Sequence, residues 1–246
     1  MSLLEFRGVS KSFRDGGEQI AVLDRVSFEI EAGETVGLIA SRRGGKTTLL
    51  KVAAGLIQPD EGSVLWDDAE IAQTGVDEAA LARREGGIGY VPGYWQSSRS
   101  APVIEYVATP LHTGPATMIE AGKRAMSALE LVDAAHLANR RTSDLGASER
   151  QLVGLARAVV LKPRLILVDE PAVLRNPERA KEFYELLRSL PTKIGCALLV
   201  ASEEIAPLRG CRPMMKLSDG RLISTATRRK VIEFPNGGNR AEQNAS

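Results

Sequence analysis

The sequence predicts an α/β protein with a mostly parallel core sheet, a small N-terminal antiparallel β sheet and an inserted helical lobe. Three observations carry this. Short, solid apolar runs recur as Thr35-Val-Gly-Leu-Ile39, Leu165-Ile-Leu-Val168 and Ala197-Leu-Leu-Val-Ala201; runs without alternation suit strands covered on both faces, as in a parallel sheet flanked by helices. Residues 3–10 and 22–30 instead mix polar with apolar side chains and enclose Asp15-Gly16-Gly17, the pattern of a hairpin with one wet face. From residue 97 to 161 helical spacing takes over, with Ala121, Ala125, Ala128, Leu129 and Val132 at i, i+4, i+7, i+8 and i+11.

Composition bounds the answer. With 246 residues, 43% hydrophobic and 26% charged, the chain is long enough for one core with a sub-lobe. Its 32 Lys+Arg against 31 Asp+Glu leave a net charge of +1, and aromatics are only 4%. Neither a basic nucleic-acid footprint nor a stacking platform for single strands fits these values, so no nucleic-acid partner is expected. Two cysteines, Cys196 and Cys211, make no disulfide framework. The absence of a leader or a long apolar run points to a cytoplasmic protein that does not span a membrane. Residues 233–246 hold almost nothing to bury and are expected to be a disordered tail.

The chemistry is concentrated after the first solid run. Ala40 is followed by Ser41-Arg42-Arg43-Gly44-Gly45-Lys46-Thr47-Thr48, then by Leu49, Leu50, Val52 and Ala53 at helical spacing, with Gly55 as the C-cap. Strand, glycine-bearing loop, helix is the context of a P-loop, whose backbone N–H groups and helix N-terminus face an anion. Lys46 is placed to reach the β/γ-phosphates, Thr47 to offer its hydroxyl to Mg²⁺, and Gly45 to let backbone approach phosphate without a Cβ. The first glycine of the G-x-x-x-x-G-K-[ST] pattern is Ala40.

Around this loop, over roughly residues 3–225, the chain resembles the ATP-binding subunits of ABC transporters, the lipoprotein-releasing and macrolide-export branch most of all. Val9-Ser-Lys-Ser-Phe13 is similar to the segment whose aromatic stacks on adenine, which assigns that role to Phe13; a core phenylalanine at a strand end is the alternative. Arg164-Leu-Ile-Leu-Val-Asp169-Glu170-Pro171 resembles the Walker B strand, which delivers two carboxylates to the sheet edge beside the P-loop. The resemblance makes Asp169 the Mg²⁺ ligand and Glu170 the general base. Asp144-Leu-Gly-Ala-Ser-Glu-Arg-Gln151 occupies the register of the L-S-G-G-Q signature, whose helix grips the γ-phosphate of ATP on a second such domain; Gly146, Ala147, Ser148 and Glu149 are the contact positions. A plain N-capped helix, with Ser148 and Gln151 as a capping box, is the alternative. The resemblance divides the chain into a domain of residues 1–232, with 1–92 and 162–232 as sheet core and 93–161 as helical lobe.

Several family positions depart from the pattern, all of them concerned with ATP turnover. The middle glycine of the P-loop is Arg43; in a left-handed backbone it adds roughly 1–2 kcal/mol of strain, while Arg42 and Arg43 can also fork onto phosphate. Gly93 replaces the sensing glutamine, with Gln96 three residues late. Gly146 lacks the signature serine hydroxyl, and Ala147 and Ser148 replace glycines. Asn176 replaces the D-loop aspartate, and Ser202 the switch histidine. Both histidines, His112 and His136, precede the signature, so neither can take the switch position.

Losing one transition-state donor costs on the order of 100- to 1000-fold in rate. The expectation is therefore an ABC transporter subunit that binds ATP and Mg²⁺, turns ATP over slowly or not at all by itself, and closes as a dimer. Its second ATP-binding domain is expected to be a different chain rather than a copy. The implied partners are transmembrane permease subunits, with the chain peripheral on the cytoplasmic face of the membrane. Trp66 is expected to pack, Tyr94 and Trp95 to lie in the core or to contact a membrane subunit, and the Arg83-Arg84, Arg140-Arg141 and Arg228-Arg229-Lys230 groups to be solvated.

Overall fold

A computed structural model describes residues 2–67, 69–70, 86–93, 100–113, 115–171 and 177–224. Two strands open the chain, β1 (Ser2–Asp15) and β2 (Glu18–Glu31), antiparallel with Asp15 opposite Glu18. Gly16 and Gly17 form the two-residue turn between them at φ 58° and 93°, a conformation that favours glycine. The strands run further than the apolar pattern predicts. Residues 13–21 are exposed and are held in the ladder by backbone pairing rather than by burial. With β4 (Glu61–Trp66) and β5 (Ala69–Glu70) they complete a four-stranded sheet in the order β2-β1-β4-β5.

The second sheet has six strands: β3 (Thr35–Ala40), β6 (Ile88–Val91), β7 (Leu165–Asp169), β8 (Ala197–Ser202), β9 (Met214–Ser218) and β10 (Arg221–Ser224), in the order β10-β9-β3-β8-β7-β6. Every neighbouring pair is parallel except β9 with β10. The solid apolar runs are explained by two cores. Leu165, Leu167, Leu199 and Ala201 face one side of the sheet, with α1 (Lys46–Ala53) and the N-terminal sheet. Ile166, Val168, Leu198 and Val200 face the other. That second core holds α2 (Val103–Ala108), α3 (Met118–Leu131), α4 (Ala147–Val159) and α5 (Pro177–Ile194). Ala121, Ala125, Ala128, Leu129 and Val132 are all buried there, as their spacing predicts.

The helix after the P-loop ends at Ala53, two residues before Gly55. Ala54 is its C-cap, and Gly55, at φ 71°, follows in the left-handed conformation. The Gly55 N–H bonds the Val52 carbonyl at 3.0 Å and the Leu56 N–H the Lys51 carbonyl at 2.9 Å, the pair of bonds that defines a Schellman motif. Trp66 is buried beneath the Arg164 guanidinium. His112 and His136 are exposed. Cys196 and Cys211 are buried free thiols, each pushed by burial to a pKa of about 11. Tyr94, Trp95, Gln96, Asn176, the Arg83-Arg84 and Arg228-Arg229-Lys230 groups and residues 233–246 lie outside the described residues. Among the described residues no helix is long and apolar enough to cross a membrane.

Five strands point the same way, so Ala40, Val91, Asp169 and Ser202 all end at one edge of the sheet.

Candidate nucleotide site

The P-loop leaves β3 at Ser41 and enters α1 at Lys46. Within it Gly45 takes φ 92°, and a Cβ there would meet the Val22 carbonyl at 2.9 Å, so the β2 backbone and the sign of φ both require glycine. Arg43 does sit left-handed, at φ 61°, and carries the strain its position implies. A cavity of about 200 Å³ opens between Val22 and residues 43–48. Arg43 lines it with an exposed side chain, and Ser41 and Arg42, before it in the loop, are exposed as well.

Lys46 is 7% exposed and turned into the loop. Its ammonium donates to the carbonyls of Ala40 and Ser41 at 3.0 and 2.9 Å, and lies 3.4 Å from Glu170 Oε2 and 3.8 Å from Glu203 Oε1. Of the two acids predicted to meet the P-loop, Glu170 pairs with Lys46, as does a third, Glu203, and Asp169 meets the loop through Thr47.

Asp169 is 5% exposed at the end of β7. Burial pushes its carboxyl above the ordinary aspartate value, against hydrogen bonds from Thr47 and Tyr90 and against Lys46, which pull it down. The Tyr90 hydroxyl donates to Oδ2 at 3.1 Å, while Oδ1 is buried with no hydrogen-bond partner among the described residues. A buried acceptor without a donor is uncommon. Together with the Thr47 hydroxyl it presents the hard oxygen donors that suit Mg²⁺, so the residues present fit that ion.

Glu170 has an unusual backbone, φ 42°, fixed by its N–H bond to the Ala201 carbonyl at 2.8 Å. Both of its carboxylate oxygens carry hydrogen bonds, with the side chain 31% exposed. Ser202, 1% exposed, donates its hydroxyl to Oε1 at 3.1 Å, and the Glu203 N–H bridges both oxygens at 3.1 and 3.2 Å. Gly93 closes the other side: a Cβ there would lie 2.7 Å from the Asp169 carbonyl and 3.1 Å from the Glu170 Cβ. The Gly93 backbone is thus pressed onto the acidic turn, with no room for a side chain there.

The signature positions lie in the helical lobe and make their own contacts. Here the capping expected of Ser148 and Gln151 is replaced by another. The helix starts at Ala147 with Gly146 as N-cap, so Ser148 is inside the first turn. Glu149, three residues on, reaches back to accept the Gly146 N–H at 2.7 Å, and Arg140 holds the same carboxylate while also donating to the Asp144 carbonyl at 2.7 Å. Arg140 is exposed, as expected of a solvated pair, and its guanidinium also steadies this cap. Phe13 is 43% exposed opposite Ile20 on the hairpin, with the Lys11 ammonium 5.6 Å from its ring, so it is not a core residue. Reading along the chain missed Glu203, Tyr90 and Arg140. The one signal for Tyr90 was a phenol inside an otherwise apolar strand.

The sequence profile of the ABC transporter family matches residues 23–173. Over 222 residues the chain is 31% identical to the lipoprotein-releasing system ATP-binding protein LolD of Pseudomonas syringae pv. tomato, spanning 90% of this chain and 97% of that protein. It is also 31% identical over 234 residues to the methionine import ATP-binding protein MetN of Myxococcus xanthus, spanning 95% of this chain and 70% of MetN. A dimeric post-hydrolysis structure of the ATP-binding cassette MJ0796 with ADP and Pi matches it with a TM-score of 0.77 at 26% identity, over 92% of this chain and 100% of that one. The P-loop at the edge of a parallel sheet and full-length likeness to such proteins lead to one conclusion: this chain belongs to the ABC transporter family, as one of its ATP-binding subunits.

Proposed function

We propose that the chain binds MgATP at the P-loop edge and couples closure of a cassette dimer to separate permease chains, with little or no ATP hydrolysis of its own. One observation carries the reading on turnover. The carboxylate in the general-base position, Glu170, is bonded to Ser202 and the Glu203 N–H and paired with Lys46. A base so held is poorly placed to take up an attacking water, because those donors already occupy its oxygens. Lys46 and the P-loop amides bind the phosphates, Thr47 and Asp169 hold Mg²⁺, which supplies charge neutralisation on the phosphates, and Phe13 stacks on the base.

The chain is placed peripherally on the cytoplasmic membrane face, as residues 1–232 of one cassette domain paired with a second cassette. The relatives named serve lipoprotein release and methionine import, so direction and cargo belong to the permease. An asymmetric pair follows from the turnover reading: this chain makes one poor composite site, and a partner with a histidine and a full signature makes the other. A second reading, a cassette that closes on nucleotide and never cleaves it, draws support from Glu149, which fills the N-terminus of the signature helix with a carboxylate where a phosphate would approach.

The test is ATP binding and phosphate release by the chain alone and in complex with its permease and second cassette. The expected outcome is binding that Lys46→Ala weakens at least tenfold, no release from the chain alone, and release in the mixed complex. Release at ordinary ABC rates from the chain alone overturns the reading; binding with no release in any complex selects the second one.

A further inference from the structure

We infer that Tyr90 is a positioning residue for the divalent cation: its phenol fixes the rotation of the Asp169 carboxylate so that Oδ1 faces the ion. This rests on the nucleotide-site reading above and assigns a role to a residue outside the P-loop and the acidic pair.

The argument starts from strand register. On the parallel ladder between β6 and β7, Tyr90 is paired with Leu167. Paired residues of a parallel ladder share a face, and residues two apart on one strand share it too, so Tyr90, Leu167 and Asp169 lie on the same side of the sheet. That side is the one packed on α1, which begins Lys46-Thr47. A tyrosine leaning along its strand spans the offset between position 167 and position 169, and its hydroxyl arrives 3.1 Å from Asp169 Oδ2.

A carboxylate rotor is two-fold, and its two oxygens are equivalent until a donor distinguishes them. Here one does. Oδ2 has the phenol, whereas Oδ1 is buried and has no partner among the described residues. Thr47 contacts the same carboxylate from the P-loop side. The orphaned oxygen and the threonine hydroxyl are the two hard donors the chain supplies to Mg²⁺, and Tyr90 is what keeps the first of them turned that way. Groups that orient a metal ligand in this fashion typically contribute about 10- to 100-fold in metal affinity.

The experiment uses the full chain, ADP and Mn²⁺ as the probe. Nucleotide affinity is measured with a fluorescent ADP analogue in EDTA and again with Mn²⁺, and bound Mn²⁺ is followed by its electron paramagnetic resonance spectrum. Tyr90→Phe keeps the ring and its packing and removes only the hydroxyl; its thermal midpoint verifies folding. Asp169→Asn serves as the reference for loss of the ligand itself. Tyr90→Phe is expected to leave the affinity in EDTA unchanged, to cut the gain from Mn²⁺ roughly tenfold, and to alter the bound-Mn²⁺ spectrum. An unchanged Mn²⁺ gain overturns the inference while leaving the nucleotide site intact. An equal loss with and without Mn²⁺ overturns it too, since that is the mark of a purely structural role. Failure of the unmodified chain to bind ADP under either condition overturns the nucleotide-site reading first and this inference with it.

Discussion

Glu170 and Gly93 show how little freedom the acidic turn retains. Glu170 is held left-handed by its own backbone bond and engaged through both carboxylate oxygens, while the backbone of Gly93 lies against Asp169 and Glu170 from the opposite side. Restoring the family's residue at 93 therefore does not restore its chemistry. Gly93→Gln must push back a main-chain carbonyl that its Cβ would approach to 2.7 Å, an overpacking cost of about 1–3 kcal/mol. Urea unfolding should give a lower midpoint for this variant, and phosphate release should show no gain. A stable Gly93→Gln protein with faster release would mean that the turn is looser than its contacts imply. Arg43 is different in kind. Its left-handed backbone is strained, but its exposed guanidinium pays no burial cost and stays within reach of an anion in the P-loop cavity.

The first helix is the element on which the phosphate loop depends. Its N-terminus carries no side-chain cap, as a helix does when its first N–H groups are reserved for an anion, and its stability must come from burial and from the other end. Leu49, Leu50, Val52 and Ala53 supply the burial, and the Schellman motif at Gly55 supplies the end. Gly55→Ala forces a side chain into the left-handed region and is expected to cost about 1–2 kcal/mol, read as a lower urea midpoint with an unchanged denaturant slope. The helix of the signature segment is built the opposite way. Its N-terminus is closed by Glu149, which is itself held by Arg140. One helix start is open to phosphate and the other is filled by the protein's own carboxylate, an asymmetry that accords with a chain that receives nucleotide better than it completes a partner's site.

For the whole molecule, the buried acid at the sheet edge links stability to pH. Burial raises the Asp169 carboxyl above its unfolded value. Below the ordinary carboxylate range both states are protonated and no penalty applies. As pH rises through that range the unfolded chain ionises first, so this group's contribution falls, and it levels off above the raised native value. Asp169→Asn removes the effect. Relative to the unmodified chain, its unfolding free energy should improve from acid to neutral pH in the absence of divalent cations, and urea titrations across that range check the sign. The same topology explains what could be read from the chain alone. The P-loop, the acidic pair and the alternation of the two cores are contiguous stretches, and the solid apolar runs that announce a two-sided sheet are a local property of burial on both faces. At the signature the chain offers two caps, Ser148 with Gln151 or Gly146 with Glu149; the helix starts from the second, whose carboxylate also pairs with Arg140 outside the helix. The contacts of Tyr90 with Asp169, of Ser202 and Glu203 with Glu170, and of Glu203 with Lys46 span 32 to 157 positions of sequence. They exist because β8 separates β3 from β7 and β6 flanks β7 in parallel register, and strand order follows from packing among segments far apart in the chain, which no local pattern encodes.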